Sequence, residues 1–211
     1  KNKSLKFSLD VYLVDDKCTD NTVEMINKSF PQVNVIKSDG DLYWNRGMHL
    51  AWEIASNNDH DAYLWLNDDT YLNDDAINNL YEAHLKKDKS IIVGTLLNDL
   101  KDDDYLISYG GRMLNKRDNI ITPDQNNLKI CDLFNGNCVL IPEYVFKKIG
   151  NLDDYFHHSY GDFEYGLRAK NNNIESYIVP NFVGYCKKDI VDGDFKFLSR
   201  KYNLIQRLKF L

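Results

Sequence analysis

Short apolar runs alternate with amphipathic segments through the first half of the chain. The apolar runs are rich in β-branched and aromatic residues, which is typical of buried strands, and they span 9–16, 33–39, 62–69 and 90–97. Between them, apolar residues recur every three or four positions, which predicts helices over 21–30, 46–58 and 74–87. Strands that alternate with helices of this length indicate parallel βαβ units. The pattern therefore predicts an α/β fold with a mostly parallel sheet flanked by helices.

The second half of the chain has a different character. Its extended segments predict the strands of a mixed sheet and span 105–113, 129–141 and 175–186. Two helices are predicted, one over 142–150 between a starting proline and a final glycine, and one over 161–173. Residues 195–211 mix Lys and Arg with Phe, Leu and Ile and predict a basic amphipathic helix.

Length and composition indicate one globular domain. The chain has 211 residues, of which 43% are hydrophobic, enough for a single α/β core. We divide this domain into a first half (1–99), a second half (100–194) and a C-terminal helix (195–211). The net charge of -6 disfavours a nucleic acid as the main partner and suits a site that holds a divalent cation.

The four cysteines and the lack of long apolar runs bear on the cellular compartment. The cysteines show no CxxC pair, so free thiols in a reducing compartment are expected rather than a zinc site or disulfides. No run of about 18 apolar residues is present, and the first residues do not resemble a signal peptide. A cytoplasmic location is therefore expected.

Pairs of acidic residues end two of the predicted strands. Asp15 and Asp16 follow the first apolar run, and Asp68 and Asp69 follow the third. Parallel sheets bind ligands beyond the carboxyl ends of their strands, so these four carboxylates are expected at one rim. Carboxylates suit Mg²⁺ or Mn²⁺ completed by substrate phosphates. Acid pairs also form ordinary turns and helix caps, and both interpretations remain at this point.

Asp162 lies where either a general base or a helix cap is expected. It stands at the start of the helix predicted over 161–173. As a cap it would stabilise that helix by about 1 kcal/mol without any chemistry. Glu164 cannot share a helix face with Asp162, so only one of the two points into a given pocket.

Three other short stretches allow a functional and a structural interpretation. Asn135-Gly136 is a strong turn signal and predicts a hairpin if it has no other role. Trp44 with Tyr43 would stack on a sugar or base, or belong to the core. Arg46 precedes a helix near the same rim and would either bind a phosphate or face solvent.

Taken together, the ordered segments resemble the inverting nucleotide-sugar glycosyltransferases of family 2, which have the GT-A fold. The segments are VYLVDDKCTDNT (11–22), DLYWNRGMHLAW (41–52), LWLNDDTYL (64–72), FNGNCVLIPEYVFKKIGNLDDYF (134–156) and YGDFEYGLRAK (160–170). The resemblance runs through most of the chain. It implies a Rossmann-like, mostly parallel sheet whose first half binds the nucleotide sugar, followed by a mixed half that binds the acceptor.

The resemblance also implies a role for particular residues. Asp162 would be the catalytic base that deprotonates the acceptor hydroxyl, and Asp69 would hold Mn²⁺ or Mg²⁺ at the donor diphosphate. The residues expected to bind the nucleotide sugar are Asp15, Asp16, Asp41, Arg46, Asn67 and Asp68. Those expected on the acceptor side are Asn135, Gly136, Trp44 and Glu164. The implied reaction inverts the sugar and builds a surface polysaccharide on a saccharide or lipid-linked saccharide acceptor.

Three features depart from the family pattern. Family members open with a strand before their first helix, and this chain starts about where that helix should end. If the sequence is complete, the sheet is expected to lack an interior strand; a shortened sequence is the simpler explanation. Tyr185 stands where many relatives carry a metal-binding histidine, which predicts weaker metal affinity. The metal motif begins with Asn67 instead of an acid.

Two other functions and one further contact are compatible with the sequence. A sugar-1-phosphate nucleotidyltransferase also uses an α/β sheet, but it normally opens with a Gly-rich loop bearing Arg and Lys, and nothing before Asp15 offers one. A non-catalytic carbohydrate- or nucleotide-binding module of the same fold is the other alternative. The helix over 195–211 either docks on its own domain or contacts an anionic membrane peripherally.

Overall fold

The computed structural model describes residues 7–98, 106–116 and 120–188. These residues form five α-helices, which are α1 (Thr22–Ser29), α2 (Tyr43–Ala55), α3 (Ala76–Lys86), α4 (Glu143–Ile149) and α5 (Gly161–Asn171). They also form thirteen strands, which are β1 (Tyr12–Asp15), β2 (Asn34–Lys37), β3 (Ala62–Leu66), β4 (Tyr71–Leu72), β5 (Ile91–Val93), β6 (Leu96–Leu97), β7 (Ile107–Tyr109), β8 (Gly111–Arg112), β9 (Lys129–Cys131), β10 (Leu133–Phe134), β11 (Cys138–Pro142), β12 (Ser176–Ile178) and β13 (Gly184–Tyr185). The helix predicted over 195–211 lies outside the described residues.

The first βαβ unit folds as the sequence predicts. β1 and β2 pair in parallel, with Tyr12 opposite Asn34 and Asp15 opposite Lys37, and α1 connects them. Because Asp15 is the last residue of β1, the first acidic pair lies at the carboxyl end of that strand, as expected.

The central sheet has the strand order β3-β11-β5-β12-β9. β11 comes from the second half of the chain, yet it lies between β3 and β5 and is antiparallel to both. β12 then pairs with β5 in parallel, and β9 pairs with β12 in antiparallel fashion. The α/β class is confirmed, and its central sheet is mixed because a later strand enters its interior. A pattern of alternating elements does not reveal such an insertion.

A second mixed sheet has the order β4-β13-β6-β7 and adjoins the second acidic pair. β4 begins two residues after Asp69 and pairs with β13, whose other neighbour is β6. β8 and β10 form a separate antiparallel pair. The extended segments of the second half are therefore divided among three sheets.

The Asn135-Gly136 step does not form a hairpin. β10 precedes the step and pairs with β8, whereas β11 follows it and pairs with β3 and β5. The chain thus passes from one sheet to another at this point. The hairpin interpretation is wrong because the turn signal specifies a local bend but not the strands that pair after it.

The core covers both faces of the central sheet. On one face the indole of Trp65 lies 5.1 Å, centroid to centroid, from the rings of Trp52 and Tyr165. The opposite face packs Ile92 of β5 against Leu80 of α3. Since burying one large apolar side chain is worth about 1.5–3 kcal/mol, these two clusters supply most of the stabilisation that holds the site in place.

Two further properties of the described residues concern membrane-spanning helices and the cysteines. No helix within residues 7–98, 106–116 and 120–188 has the length and apolar character required to cross a membrane. The four cysteines are free thiols, of which Cys18 is exposed and the other three are buried.

Candidate active site

The second acidic pair lies in a tight turn at the carboxyl end of β3. The Thr70 N–H donates to the carbonyl of Asn67 (3.2 Å), which closes the turn over Asp68 and Asp69. The Asn67 N–H donates to the carbonyl of Asn137 (3.3 Å), which ties the turn to the residue before β11. Both carboxylates are exposed, and like charges in water repel each other only weakly.

Trp44 connects this turn to the second half of the chain. Its indole N–H donates to Oδ1 of Asn67 (2.7 Å). The edge of the same ring lies against Gly136, where a Cβ would come within 2.2 Å of Trp44 Cζ2. Glycine is therefore required at position 136 for the ring to lie there. Trp44, predicted on the acceptor side, contacts both the acid turn and the segment before β11.

Asp162 lies at the start of α5, and its carboxylate accepts hydrogen bonds from two backbone N–H groups. Its Oδ2 accepts the N–H of Gly136 (3.0 Å), and its Oδ1 accepts the N–H of Phe163 (2.8 Å). Burial raises the pKa of Asp162 to about 6, although both hydrogen bonds and the charge of Arg112 act to lower it. Tyr160 occupies the N-cap position of α5, so Asp162 is not the N-cap residue, and its Oδ1 nevertheless binds an N–H of the first turn.

Asn135 precedes Gly136, whose N–H binds the same carboxylate, and its side chain contacts Arg112. Its side-chain oxygen accepts hydrogen bonds from Arg112 Nη2 (3.3 Å) and from the Gly110 N–H (3.4 Å). The guanidinium carbon of Arg112 lies 5.9 Å from the centroid of the Phe163 ring. Arg112 is buried, so its positive charge acts on Asp162 through a medium that screens little. Sequence analysis missed Arg112, since a lone arginine in a short strand carries no signal of its own.

Asp16 is held at the start of α2. The hydroxyl of Ser38 donates to Oδ1 (2.5 Å), and the backbone N–H groups of Leu42 and Tyr43 donate to Oδ2 (2.9 and 3.2 Å). The hydrogen bond from Ser38 contributes most to lowering the pKa of Asp16, followed by these two N–H groups and the nearby His157. The carboxylate of Asp16 therefore stays ionised and fixed in orientation.

The other residues predicted to bind the nucleotide surround this corner. Asp15 accepts the N–H of Cys18 (2.9 Å) and thereby shapes the loop after β1. Asp41 has a positive φ of 65°, an exposed carboxylate and a carbonyl that accepts a hydrogen bond from His157 (2.6 Å). Arg46 donates from Nε to the carbonyl of Asp154 (3.0 Å). The structure thus gathers Asp15, Asp16, Asp41 and Arg46 at the loops around the start of α2.

Glu164 has a partner of its own on the same helix. Arg168 donates from Nε to Oε1 (2.9 Å) and from Nη2 to Oε2 (2.7 Å), a bidentate pair. The same guanidinium donates to the carbonyls of Ile149 and Asn151 (2.7 and 2.9 Å). These bonds give Glu164 a structural role that spacing alone did not indicate, and its acceptor-side role stays a prediction.

A segment over residues 151–157 is fastened to α2, a contact that the sequence did not predict. The buried amide of Asn45 donates to the carbonyls of Asp153 (2.8 Å) and Phe156 (2.6 Å). The His49 ring donates to the carbonyl of Leu152 (2.8 Å). This segment leads directly into α5, so α2 fixes the approach to Asp162. A buried asparagine within a helix offers no pattern that would have identified it.

Cys186 lies behind the acid turn. Its buried thiol neighbours the side chains of Asp69 and Thr70 and accepts a weak hydrogen bond from the Asn137 amide (3.7 Å). Burial raises the pKa of this thiol to about 11, so it is protonated at neutral pH. The preceding residue, Tyr185, stacks on Tyr71 with ring centroids 4.7 Å apart.

The donor set at the acid turn fits a divalent cation that substrate phosphates complete. Within the described part of the chain, no group of three or more His, Cys, Asp or Glu side chains could enclose a metal ion. Exposed Asp68 and Asp69 offer hard oxygen ligands at one place. Mg²⁺ is typically bound in this way, through one or two carboxylates plus the phosphates of a substrate.

The comparison with known sequences identifies one family and one curated relative. The family described as Glycosyl transferase family 2 matches residues 4–150. The low-salt glycan biosynthesis hexosyltransferase Agl10 of Haloferax volcanii is 26% identical over 174 residues, which make up 78% of this chain and 52% of that protein. The chain therefore spans about half the length of this relative.

Two solved structures share the fold at low sequence identity. GalNAc-T7, crystallised with UDP, GalNAc and Mn²⁺, superposes with a TM-score of 0.58 at 12% identity, over 85% of this chain and 38% of that one. S. aureus TarS 1–349 superposes with a TM-score of 0.58 at 14% identity, over 96% of this chain and 60% of that one. Both likenesses concern the fold. The family match covers residues 4–150, which is more than half of this chain. The chain therefore belongs to glycosyl transferase family 2 and has the GT-A fold.

Proposed function

We propose that this chain catalyses metal-dependent, inverting transfer of a sugar from a nucleotide-diphosphate donor to an acceptor hydroxyl. The observation that carries the proposal is the connection between the candidate base and the candidate metal turn. Gly136 donates its N–H to Asp162 and packs on Trp44, and Trp44 in turn donates to Asn67. A base and a metal turn held by one tryptophan are suited to act on the same substrate.

The donor nucleotide would bind around the start of α2, at a group of residues that we call the nucleotide corner: Asp15, Asp16, Asp41 and Arg46. Acceptors for ribose or base N–H and O–H groups are the ordered carboxylate of Asp16, the half-buried carboxylate of Asp15 and the exposed carboxylate of Asp41. Arg46 uses Nε for the carbonyl of Asp154 and would turn its terminal nitrogens toward a phosphate. Asn67 and Asp68 would line the diphosphate beside it.

Asp69 would hold the cation, with Asp68 as its neighbour in the turn. A bound Mn²⁺ or Mg²⁺ supplies Lewis-acid stabilisation of the charge that develops on the departing diphosphate. The fold neighbour GalNAc-T7 was crystallised with UDP and Mn²⁺, which supports a cation of this type for the present chain. The turn carries two exposed carboxylates on adjacent residues. A bound cation would offset the repulsion between them.

Asp162 would act as the general base. With a pKa of about 6, its carboxylate is mostly ionised at neutral pH and still basic enough to accept a proton from a hydroxyl that is forming a bond. The hydrogen bonds from Gly136 and Phe163 hold both oxygens in a fixed direction. Attack on the anomeric carbon from the face opposite the nucleotide inverts that carbon.

The acceptor is proposed to be a saccharide or lipid-linked saccharide in surface glycan synthesis. The relative Agl10 is named as a hexosyltransferase of glycan biosynthesis, which supports this class. A cytoplasmic location and peripheral contact through 195–211 are part of the same proposal. Charge reversal at Arg200, Lys201 and Arg207 should then reduce binding to vesicles of anionic lipid, and unchanged binding would refute that contact.

The test of the metal and donor site is a binding panel. UDP, GDP, dTDP and CDP are titrated with and without Mn²⁺ against the wild type, Asp69→Ala and Asp88→Ala, the last being a matched exposed aspartate distant in sequence. A ligand at 100 times its Kd stabilises a fold by about 2.7 kcal/mol, which a thermal shift detects readily. We expect Mn²⁺-dependent binding of one nucleotide that Asp69→Ala loses and Asp88→Ala keeps.

A second measurement separates an enzyme from a non-catalytic module. In Asp162→Asn, nucleotide binding should persist while sugar release or transfer from the matching donor falls about 10²–10⁴-fold. Equal turnover by this variant and the wild type would remove Asp162 as the base. Nucleotide binding without any turnover in the wild type would favour the module.

A further inference from the structure

Two tyrosines form a stacked pair on the second mixed sheet. The rings of Tyr71 and Tyr185 are nearly parallel, at 4° to each other, with centroids 4.7 Å apart. The residues face each other across the antiparallel pair β4 and β13. Tyr71 is 61% exposed and Tyr185 is half-buried, so solvent reaches the stack mainly at Tyr71. An exposed, flat aromatic surface of this kind is common where proteins bind ligands.

The backbone is built so that the two rings can meet. Gly184 precedes Tyr185 and is buried, and a Cβ on it would lie 2.1 Å from the carbonyl oxygen of Tyr71. Only glycine allows β13 to approach β4 this closely. Leu72, next to Tyr71, packs into the core cluster that also contains Cys186. The two strands that carry the tyrosines are therefore held close together and packed on the core, while the side chain of Tyr71 remains exposed.

The stack adjoins the acid turn through β4. Tyr71 follows Asp69 by two residues, which limits the separation of their Cα atoms to about 7 Å. Tyr185 lies opposite Tyr71 on the neighbouring strand β13 and reaches the turn through this pairing. Asp16 is connected to the same turn through α2. The Tyr43 N–H donates to Asp16, and the indole N–H of the next residue, Trp44, donates to Asn67. The tyrosine pair is thus an aromatic surface that adjoins the turn through β4, whereas Asp16 is connected to the turn through α2.

We propose that Tyr71 and Tyr185 form a platform that binds a pyranose ring of the acceptor saccharide. This inference rests on the proposed function, since it assigns the acceptor to a particular surface. One face of a pyranose carries C–H groups, which the electron-rich face of a phenol ring attracts. The sugar hydroxyls at its rim would reach the phenol oxygens and the exposed carboxylate of Asp68. Stacking of this kind orders a flexible saccharide before its hydroxyl meets the base.

The test uses saturation-transfer NMR on the full 211-residue chain with Mg²⁺ and the nucleotide diphosphate that it binds. The probes are the methyl pyranosides of glucose, galactose, mannose and N-acetylglucosamine. At least one probe should receive saturation on the C–H protons of one ring face. In Tyr71→Ala that signal should fall about fivefold, the loss expected for one aromatic contact, while Tyr71→Phe should retain it.

Controls separate this inference from the function on which it rests. Tyr144→Ala, a substitution of another exposed tyrosine on α4, should leave the pyranoside signal unchanged. Nucleotide binding should be equal in the wild type, Tyr71→Ala and Tyr185→Ala.

If nucleotide binds but no pyranoside does, or if Tyr71→Ala keeps the full signal, the platform is refuted and the proposed function stands. If Tyr71→Ala weakens nucleotide binding instead, the surface belongs to the donor, and the acceptor assignment is overturned. If no nucleotide diphosphate binds the wild type, the proposed function fails together with the platform.

Discussion

The carboxylate of Asp162 accepts two backbone hydrogen bonds and is nevertheless harder to ionise than an ordinary aspartate. The hydrogen bonds from Gly136 and Phe163 favour the ionised form, but burial raises the pKa to about 6. An unperturbed aspartate would be a weaker base, since its pKa is about 3.9. The local backbone thus orients the carboxylate while its burial sets its basicity.

The pKa of Asp162 predicts the acidic limb of the pH profile. The base must be ionised to accept a proton, so activity requires a pH above the pKa and falls as the pH decreases through about 6. Below that pH, kcat/KM for transfer should decrease about tenfold per pH unit. Rates measured between pH 4.5 and 8.5, with nucleotide binding followed in parallel, check this expectation. An acidic limb near pH 4 would contradict the raised pKa.

Gly136 should tolerate no side chain, because Trp44 occupies that space. A Cβ would lie 2.2 and 2.4 Å from two carbons of the indole. Gly136→Ala should therefore cost about 1–3 kcal/mol in urea unfolding and reduce kcat for transfer, since the ring or the N–H that holds Asp162 must move. Gly47→Ala is the matched control, because a Cβ there meets nothing within 4 Å. It should stabilise α2 by about 0.5–1 kcal/mol and leave kcat unchanged.

At the scale of single residues, the sequence predicts chemical types but not partners. Asp16 and Asp69 stand out because acids end apolar runs. Arg112 and Asn45 do not stand out, because their importance depends on contacts with residues 20 or more positions away. Such contacts follow from tertiary packing, which local patterns do not encode.

Among the elements, α2 does more than carry an apolar stripe. Its inner face supplies Trp52 to the core, while Trp44, Asn45 and His49 reach the acid turn and the segment over 151–157. The predicted start at residue 46 excluded the two most consequential of these residues. The helix begins at Tyr43, with a positive φ of 54°. A sequence pattern predicts helix boundaries less well than any other feature, and here the residues at the boundary belong to the candidate site.

The contact between α2 and α5 should appear as a coupling free energy. A Cβ on Gly161 would lie 1.7 Å from Oδ1 of Asn45, so Gly161→Ala should destabilise the fold by about 2 kcal/mol or more. In an Asn45→Ala background the obstacle is absent, and the same change should cost about 0.5–3 kcal/mol less. Urea unfolding of the four proteins in this cycle measures the difference. Asn57→Ala, at an exposed position after the end of α2, should leave the cost of Gly161→Ala unchanged.

For the whole molecule, the sequence predicts the class of fold and the family but not the order of the strands. The alternation of elements correctly indicates that β1 and β2 are parallel. It cannot indicate that β11 separates β3 from β5, because an all-apolar strand is compatible with any interior position. The core clusters likewise combine side chains from both halves, such as Trp65 with Val139.

Because of this interleaving, the first half should not fold by itself. A polypeptide of residues 1–99 lacks β11 and β12, and both interior edges of β5 would lose their partners. We expect a disordered far-UV circular dichroism spectrum and poor dispersion in a ¹⁵N–¹H correlation spectrum. The same spectra of the full 211-residue chain are the control and should show native structure. A dispersed spectrum from residues 1–99 would contradict the expectation.

The interior position of β11 also has a consequence for synthesis on the ribosome. β3 ends at Leu66 and β5 at Val93, whereas their common neighbour β11 begins only at Cys138, so their apolar edges stay unpaired while the intervening residues are synthesised. Pairing that spans such a sequence separation is slow to form and leaves unpaired edges available to other chains. A nascent chain of this protein is therefore expected to need chaperone protection until residue 142 has left the exit tunnel, and rare codons placed before β11 should lower its soluble yield.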